Sequence, residues 1–97
     1  MASLYVTEFG TRLGASVVPT MPPIAQQKVT FTGTPGVSAA FNIATRTIRV
    51  QADGICSVRV FTGATSNATI SDMRMTAGQT EWFAVAPGAK ISAITNT

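Results

Sequence analysis

Short runs in which apolar and polar side chains alternate follow one another along almost the whole chain, and this two-residue period predicts β-strands. Helical spacing is not sustained anywhere. The first run, Ser3 to Thr7, places Leu4 and Val6 on one face and Tyr5 on the other. QQKVTFT at 26–32 turns Val29 and Phe31 inward and Lys28, Thr30 and Thr32 outward. After the turn signal GTPG at 33–36 a short strand is expected from Val37 to Phe41. The clearest alternation runs from Thr45 to Asp53, with Ile48, Val50 and Ala52 opposed to Thr47, Arg49, Gln51 and Asp53. Asp53-Gly54 has the composition of a two-residue hairpin turn. It leads into Ile55 to Thr62, where Cys56, Val58 and Val60 face the core while Ser57 and Arg59 face solvent. TGATSNAT at 62–69 is a polar loop, and Ile70 to Met75 is either a strand or one loose turn. Thr80 to Val85 and Lys90 to Thr95 flank APGA and read as a closing hairpin.

About seven or eight short strands with no helix between them indicate an all-β fold, an antiparallel β-sandwich or jelly roll, and exclude a βαβ architecture. From Glu8 to Pro23 the chain carries Gly10, Gly14, Pro19, Pro22 and Pro23, which interrupt regular structure. A stretch of that length without an element of its own is usually functional in a compact domain. Residues 1–97 are therefore read as a single β domain, with an N-terminal strand and an extended Pro- and Gly-containing arm over 1–23 and the sandwich core over 24–97. On that reading residues 1–20 are dispensable for folding.

Ninety-seven residues make about one domain, and a chain this short has modest stability on its own unless a disulfide, a metal or a partner supplements its core. One cysteine cannot close an internal disulfide, and the absence of histidine disfavours zinc. No cofactor or metal is expected, which leaves association with a partner. The composition is 45% hydrophobic but only 11% charged. Much of the surface must therefore be neutral Ser, Thr, Ala, Gly and Gln, suited to close packing against another protein. The net charge of +3 comes from singly scattered basic residues and not from the clustered stripe of a nucleic-acid binder. No run resembles a signal peptide or approaches a membrane span, so synthesis in a cytoplasm is expected.

Catalytic chemistry has little to draw on. General acid or base work needs a tunable group beside the reacting atoms. The chain offers four acids, Glu8, Asp53, Asp72 and Glu81, with Asp53 in a turn and Glu8 at the start of the arm. Cys56 falls on the apolar face of its strand, where a thiol packs rather than reacts. The glycines never take a phosphate-binding spacing. The chain is expected not to be an enzyme. Trp82 and Phe83 are the one aromatic pair, one ring for the core and the other for a sheet edge or interface.

The segments MASLYVTEF, KVTFTGTPGVSAAFNIATRTIRVQADGICSVRV and TAGQTEWFAVAPGAKISAI resemble, in order and composition, the small β-rich virion proteins of tailed bacteriophages that act as head decoration or cement proteins. The resemblance covers nearly the whole chain. It implies a β-sandwich or jelly-roll subunit that binds the outer surface of a phage head and cements neighbouring capsid subunits. The implied partners are the major capsid protein and further copies of itself in a dimer or trimer, with no nucleic acid, membrane or small-molecule substrate. The expected location is the head surface of the virion, after synthesis in the host cytoplasm. Affinity would come from avidity, several weak contacts engaged together. The candidate interface comprises Leu4, Tyr5, Val6 and Phe9, expected to add a strand to a neighbour's sheet edge. Arg12, Leu13 and Met21 of the arm would lie across a groove in the shell, and Trp82 with nearby Arg74 would serve as anchors. The competing function is a phage tail or fibre module that recognises a receptor or carbohydrate, with Trp82 as a stacking platform. A small single-stranded DNA binder is a third class.

Overall fold

The computed structural model describes residues 2–10 and 22–96. Eight strands are present: β1 Ala2–Phe9, β2 Ala25–Phe31, β3 Gly36–Val37, β4 Thr47–Ala52, β5 Cys56–Phe61, β6 Met73–Met75, β7 Thr80–Ala84 and β8 Lys90–Thr95. They form two four-stranded antiparallel sheets, sheet A in the order β2-β1-β4-β7 and sheet B in the order β3-β8-β5-β6. There is no helix among the described residues. The two sheets pack face to face as a small β-sandwich, the architecture expected from the alternation.

Alternation places the core. Leu4 and Val6 of β1, Val29 and Phe31 of β2, and Ile48, Val50 and Ala52 of β4 point inward from sheet A. Cys56 and Val58 of β5, Met75 of β6, and Ile91 and Ala93 of β8 meet them from sheet B, and Phe41 and Phe83 close the ends of the cluster. Each fully buried Leu, Ile, Val, Phe or Met side chain stabilises the fold by about 1.5–3 kcal/mol relative to its exposed state.

Several expected features fall out differently. β1 extends through Phe9 and pairs on both sides, Leu4 opposite Val29 and Ala52, Val6 opposite Gln27 and Val50. It is an interior strand of sheet A, so the sandwich begins at residue 2 and not at residue 24, and deleting 1–20 would remove the middle of a sheet. Neither expected hairpin forms. β4 lies in sheet A and β5 in sheet B, as do β7 and β8 respectively, so both connections cross between layers. At Asp53-Gly54 the reason is local. The Asp53 carboxylate accepts from the Ser3 N–H and the Asp53 N–H donates to the Ser3 carbonyl at 3.0 Å, tying this corner back to β1. Gly54 does not adopt the positive φ that a hairpin turn of this composition requires.

The strand expected over 37–41 shortens to Gly36–Val37, although Ser38 and Phe41 still donate to the Ile91 and Ala89 carbonyls at 2.8 Å. Gly36 stands where the sheets converge, and a Cβ there would collide with the Thr30 carbonyl oxygen. Ser57, expected in solvent, is fully buried. The 62–72 connection folds over the outer face of sheet B and covers it. The Ala68 N–H donates to Ser92 Oγ at 2.9 Å, Asn96 Nδ2 donates to Ser57 Oγ at 2.7 Å and to the Ile70 carbonyl at 3.1 Å, and Ala68 itself is buried.

Candidate functional site

Among the described residues, no connection covers the exposed rows on the outer face of sheet A. Three cross-strand rows are set by register. Lys28, Tyr5, Gln51 and Thr80 form one, and Gln26, Thr7, Arg49 and Trp82 form the next. Phe9, Thr47 and Ala84 form the third. Tyr5 is 45% exposed and Trp82 is 43% exposed, which is high for large aromatic side chains. Trp82 is held from below: its indole stacks on the buried Phe9 ring, centroids 5.6 Å apart and planes at 29°. Such a stack contributes about 0.5–1.5 kcal/mol beyond what area burial alone supplies. Lys28 Nζ lies 5.8 Å from the centre of the Tyr5 ring, within cation–π range. Tyr5, Thr7, Gln26 and Lys28 line a shallow groove between β1 and β2.

The residues proposed from sequence separate into distinct groups. Leu4 and Val6 are core residues, 0% and 1% exposed, because β1 is covered on its inner face by sheet B. Since both edges of β1 are already paired, it cannot donate a strand to a neighbour. Phe9 is 4% exposed and contributes only as the support beneath Trp82. Tyr5 and Trp82 stay at the surface on one face. Arg74, expected near Trp82, sits opposite Ser57 on the outer face of sheet B, where its Nε donates to the Asn96 carbonyl at 3.4 Å. The two are on opposite sides of the sandwich because Arg74 follows the alternation of β6 and Trp82 that of β7. Arg12, Leu13 and Met21 lie outside the described residues. Arg49 and Lys28 were not singled out from sequence. Their alternation already assigned them to the polar faces of their strands, but only the strand order shows that those faces adjoin Tyr5 and Trp82.

The four carboxylates occupy four separate places. Asp53 holds the Ser3 corner. Asp72 joins Arg59 at 3.0 Å over sheet B. Its carboxyl is held below the usual value of 3.8, first by the Thr69 backbone N–H and then by the Arg59 guanidinium. Glu81 follows the inward alternation of edge strand β7 and accepts from Gln79 Nε2 at 2.9 Å. Glu8, expected at the surface, is 2% exposed on the core side of β1. Its Oε1 accepts from the Asn42 N–H at 2.8 Å and Thr45 Oγ1 at 2.9 Å, and its Oε2 accepts from Gln27 Nε2 at 3.2 Å. Gln27 also clasps Ala39 through both its amide atoms. Burial with three neutral donors makes Glu8 a structural knot at one end of the core. Burial pushes the Cys56 thiol up to about 11, with the nearby Asp53 charge adding to the rise. No group of three or more His, Cys, Asp or Glu suited to a metal ion occurs among the described residues.

Among the described residues, the outer face of sheet A offers two exposed aromatic rings, two cations and neutral amides and hydroxyls, groups capable of stacking, hydrogen bonding and charge pairing. No protein-family model, curated protein or solved structure matches this chain.

Proposed function

We propose that this chain is a non-catalytic structural subunit that decorates the outer surface of a bacteriophage head and cements neighbouring capsid subunits. One observation carries the docking part of the reading. Of the two outer sheet faces, one is roofed by the chain's own 62–72 connection, while the other presents Trp82, braced by Phe9, and Tyr5 to solvent. Tyr, Trp and Arg are the residue types most enriched among interface hot spots, and Tyr5, Trp82 and Arg49 stand together on that face. The phage partner comes from the resemblance of the strand-bearing segments to head decoration proteins. A standard interface of about 800 Å² per partner is within reach of one sheet face of a domain 35 × 29 × 20 Å across.

At the β7 edge of sheet A strand addition is disfavoured, because an inward-pointing charge on an edge strand discourages pairing with another chain and Glu81 supplies one. Purified protein added to undecorated heads is expected to co-sediment with them to a saturating stoichiometry. Failure to bind heads at any concentration tested would remove the cement reading. The second reading, a tail or fibre module for a carbohydrate, is favoured by the exposed Trp82, stacked on Phe9, since aromatic rings also stack on sugars. Binding to a host surface glycan in the absence of head binding would establish it in place of the first.

A further inference from the structure

We infer that the partner surface that meets the outer face of sheet A is acidic, and that Arg49 and Lys28 are the residues that select it. This deepens the docking reading above and rests on it. Among the described residues the face carries two cations, exposed Lys28 and half-buried Arg49. Neither forms an ion pair among the described residues, where Arg59 with Asp72 is the single salt bridge. All four carboxylates of the chain are engaged elsewhere, with Asp53 at the Ser3 corner, Asp72 over sheet B, and Glu8 and Glu81 on the inward side of sheet A. Among the described residues, the positive charge of this face is thus not neutralised.

The two cations are also placed to act together with the aromatic rings. Arg49 is the cross-strand partner of Trp82 and of Thr7, and Lys28 is the cross-strand partner of Tyr5. Strand geometry puts Tyr5 and Trp82 about 12 Å apart with Arg49 in the gap between them. On docking, the rings exclude water around the guanidinium, and a charge pair that is desolvated in this way gains strength over one exposed at a rim. A guanidinium presents a planar fork that matches a carboxylate with two parallel hydrogen bonds. The surrounding Gln26, Gln51, Thr7 and Thr80 donate to and accept from backbone groups equally well. A protein surface with Asp or Glu opposite Arg49 and Lys28 satisfies every feature. A nucleic acid would call for a denser array of cations along a track.

The test uses the full chain and its charge variants on undecorated heads. Arg49→Glu and Lys28→Glu are each expected to weaken co-sedimentation about tenfold or more, Arg49→Gln to weaken it less, and raised salt to weaken the wild type. Arg74→Glu on the opposite face is the control and should stay within about twofold. Circular dichroism checks that each variant is folded. Equal binding by all variants, or an Arg74→Glu loss as large as the Arg49→Glu loss, overturns the inference while leaving head binding intact. A wild type that ignores heads removes the cement reading. The acidic-partner inference is then decided by titrating the labelled chain with poly-L-glutamate at low salt. Shifts centred on Trp82, Tyr5 and Arg49 support it, and their absence overturns it. Tighter binding of oligothymidylate or of an anionic polysaccharide than of poly-L-glutamate also overturns it, in favour of a nucleic acid or a glycan.

Discussion

Glu8 sits where the two-residue period of β1 puts an inward side chain, directly in line with Leu4 and Val6. A buried carboxylate needs donors, and it finds them on the Asn42 N–H, Thr45 Oγ1 and Gln27 Nε2. Replacing it with Ala leaves the buried Thr45 hydroxyl and the Asn42 N–H without their acceptor. At about 1–3 kcal/mol for each unsatisfied buried group, Glu8→Ala is expected to cost on the order of 2–4 kcal/mol in urea unfolding. Glu8→Gln keeps the shape and one acceptor and should cost less, about 1–2 kcal/mol. A loss under roughly 0.5 kcal/mol for Glu8→Ala, the range of an ordinary surface substitution, would refute the knot. The alternation read from sequence stopped at Thr7 and left Glu8 at the start of the arm, whereas β1 runs on through Phe9 and turns Glu8 inward. Its burial was not legible because its donors come from residues 27, 42 and 45, which no local reading places beside residue 8. Cys56 was legible, since its alternation and its chemistry agreed. With a thiol held near 11 and no exposed surface, it should resist Ellman's reagent at pH 8 in the native state. It should react at once when the chain is unfolded in guanidinium, and rapid native labelling would contradict its position.

At the scale of elements, the strands themselves were readable and their partners were not. β4, β7 and β8 fall within a residue or two of their expected limits, because each alternates cleanly between turn residues. The sheet to which each belongs depends on where the chain goes after a turn. Asp53-Gly54 and the APGA segment have hairpin composition, yet both carry the chain across to the other layer. The 62–72 connection shows the same limit. Its polar sequence identifies a loop but not that it packs over Ser92. Asp72 anchors that cover, through the Thr69 N–H at 2.7 Å and the Arg59 guanidinium at 3.0 Å. Because these partners depress its pKa in the folded state, the contribution of Asp72 to stability is complete above the unfolded value of 3.8. It is lost as pH falls through the lower folded value. Asp72→Asn should therefore lower the thermal midpoint at pH 7, and the gap to wild type should close as pH drops below about 3.8. A gap that persists unchanged at pH 2 would show that the carboxylate charge is not what holds the connection.

The molecule as a whole is asymmetric across its two layers: one outer face is occupied by its own loop, and the other carries the aromatic rings and uncompensated cations. This asymmetry was invisible in the sequence, where Arg49, Tyr5, Lys28 and Trp82 are spread over 78 positions and scattered charges argued only against a nucleic-acid stripe. It makes Trp82, the sole tryptophan, a reporter for the docking face. In the free chain Trp82 is 43% exposed, so its emission should be red-shifted and open to acrylamide quenching. On a partner that covers sheet A, the emission should move to the blue and the quenching constant should fall. Binding to the folded state alone also stabilises it by mass action, about 2.7 kcal/mol at a partner concentration of 100 Kd, so the melting transition should rise together with the blue shift. Both changes should be lost in Arg49→Glu and kept in Arg74→Glu. Binding that raises the melting transition while leaving the Trp82 emission and its quenching untouched would place the docking surface elsewhere on the sandwich.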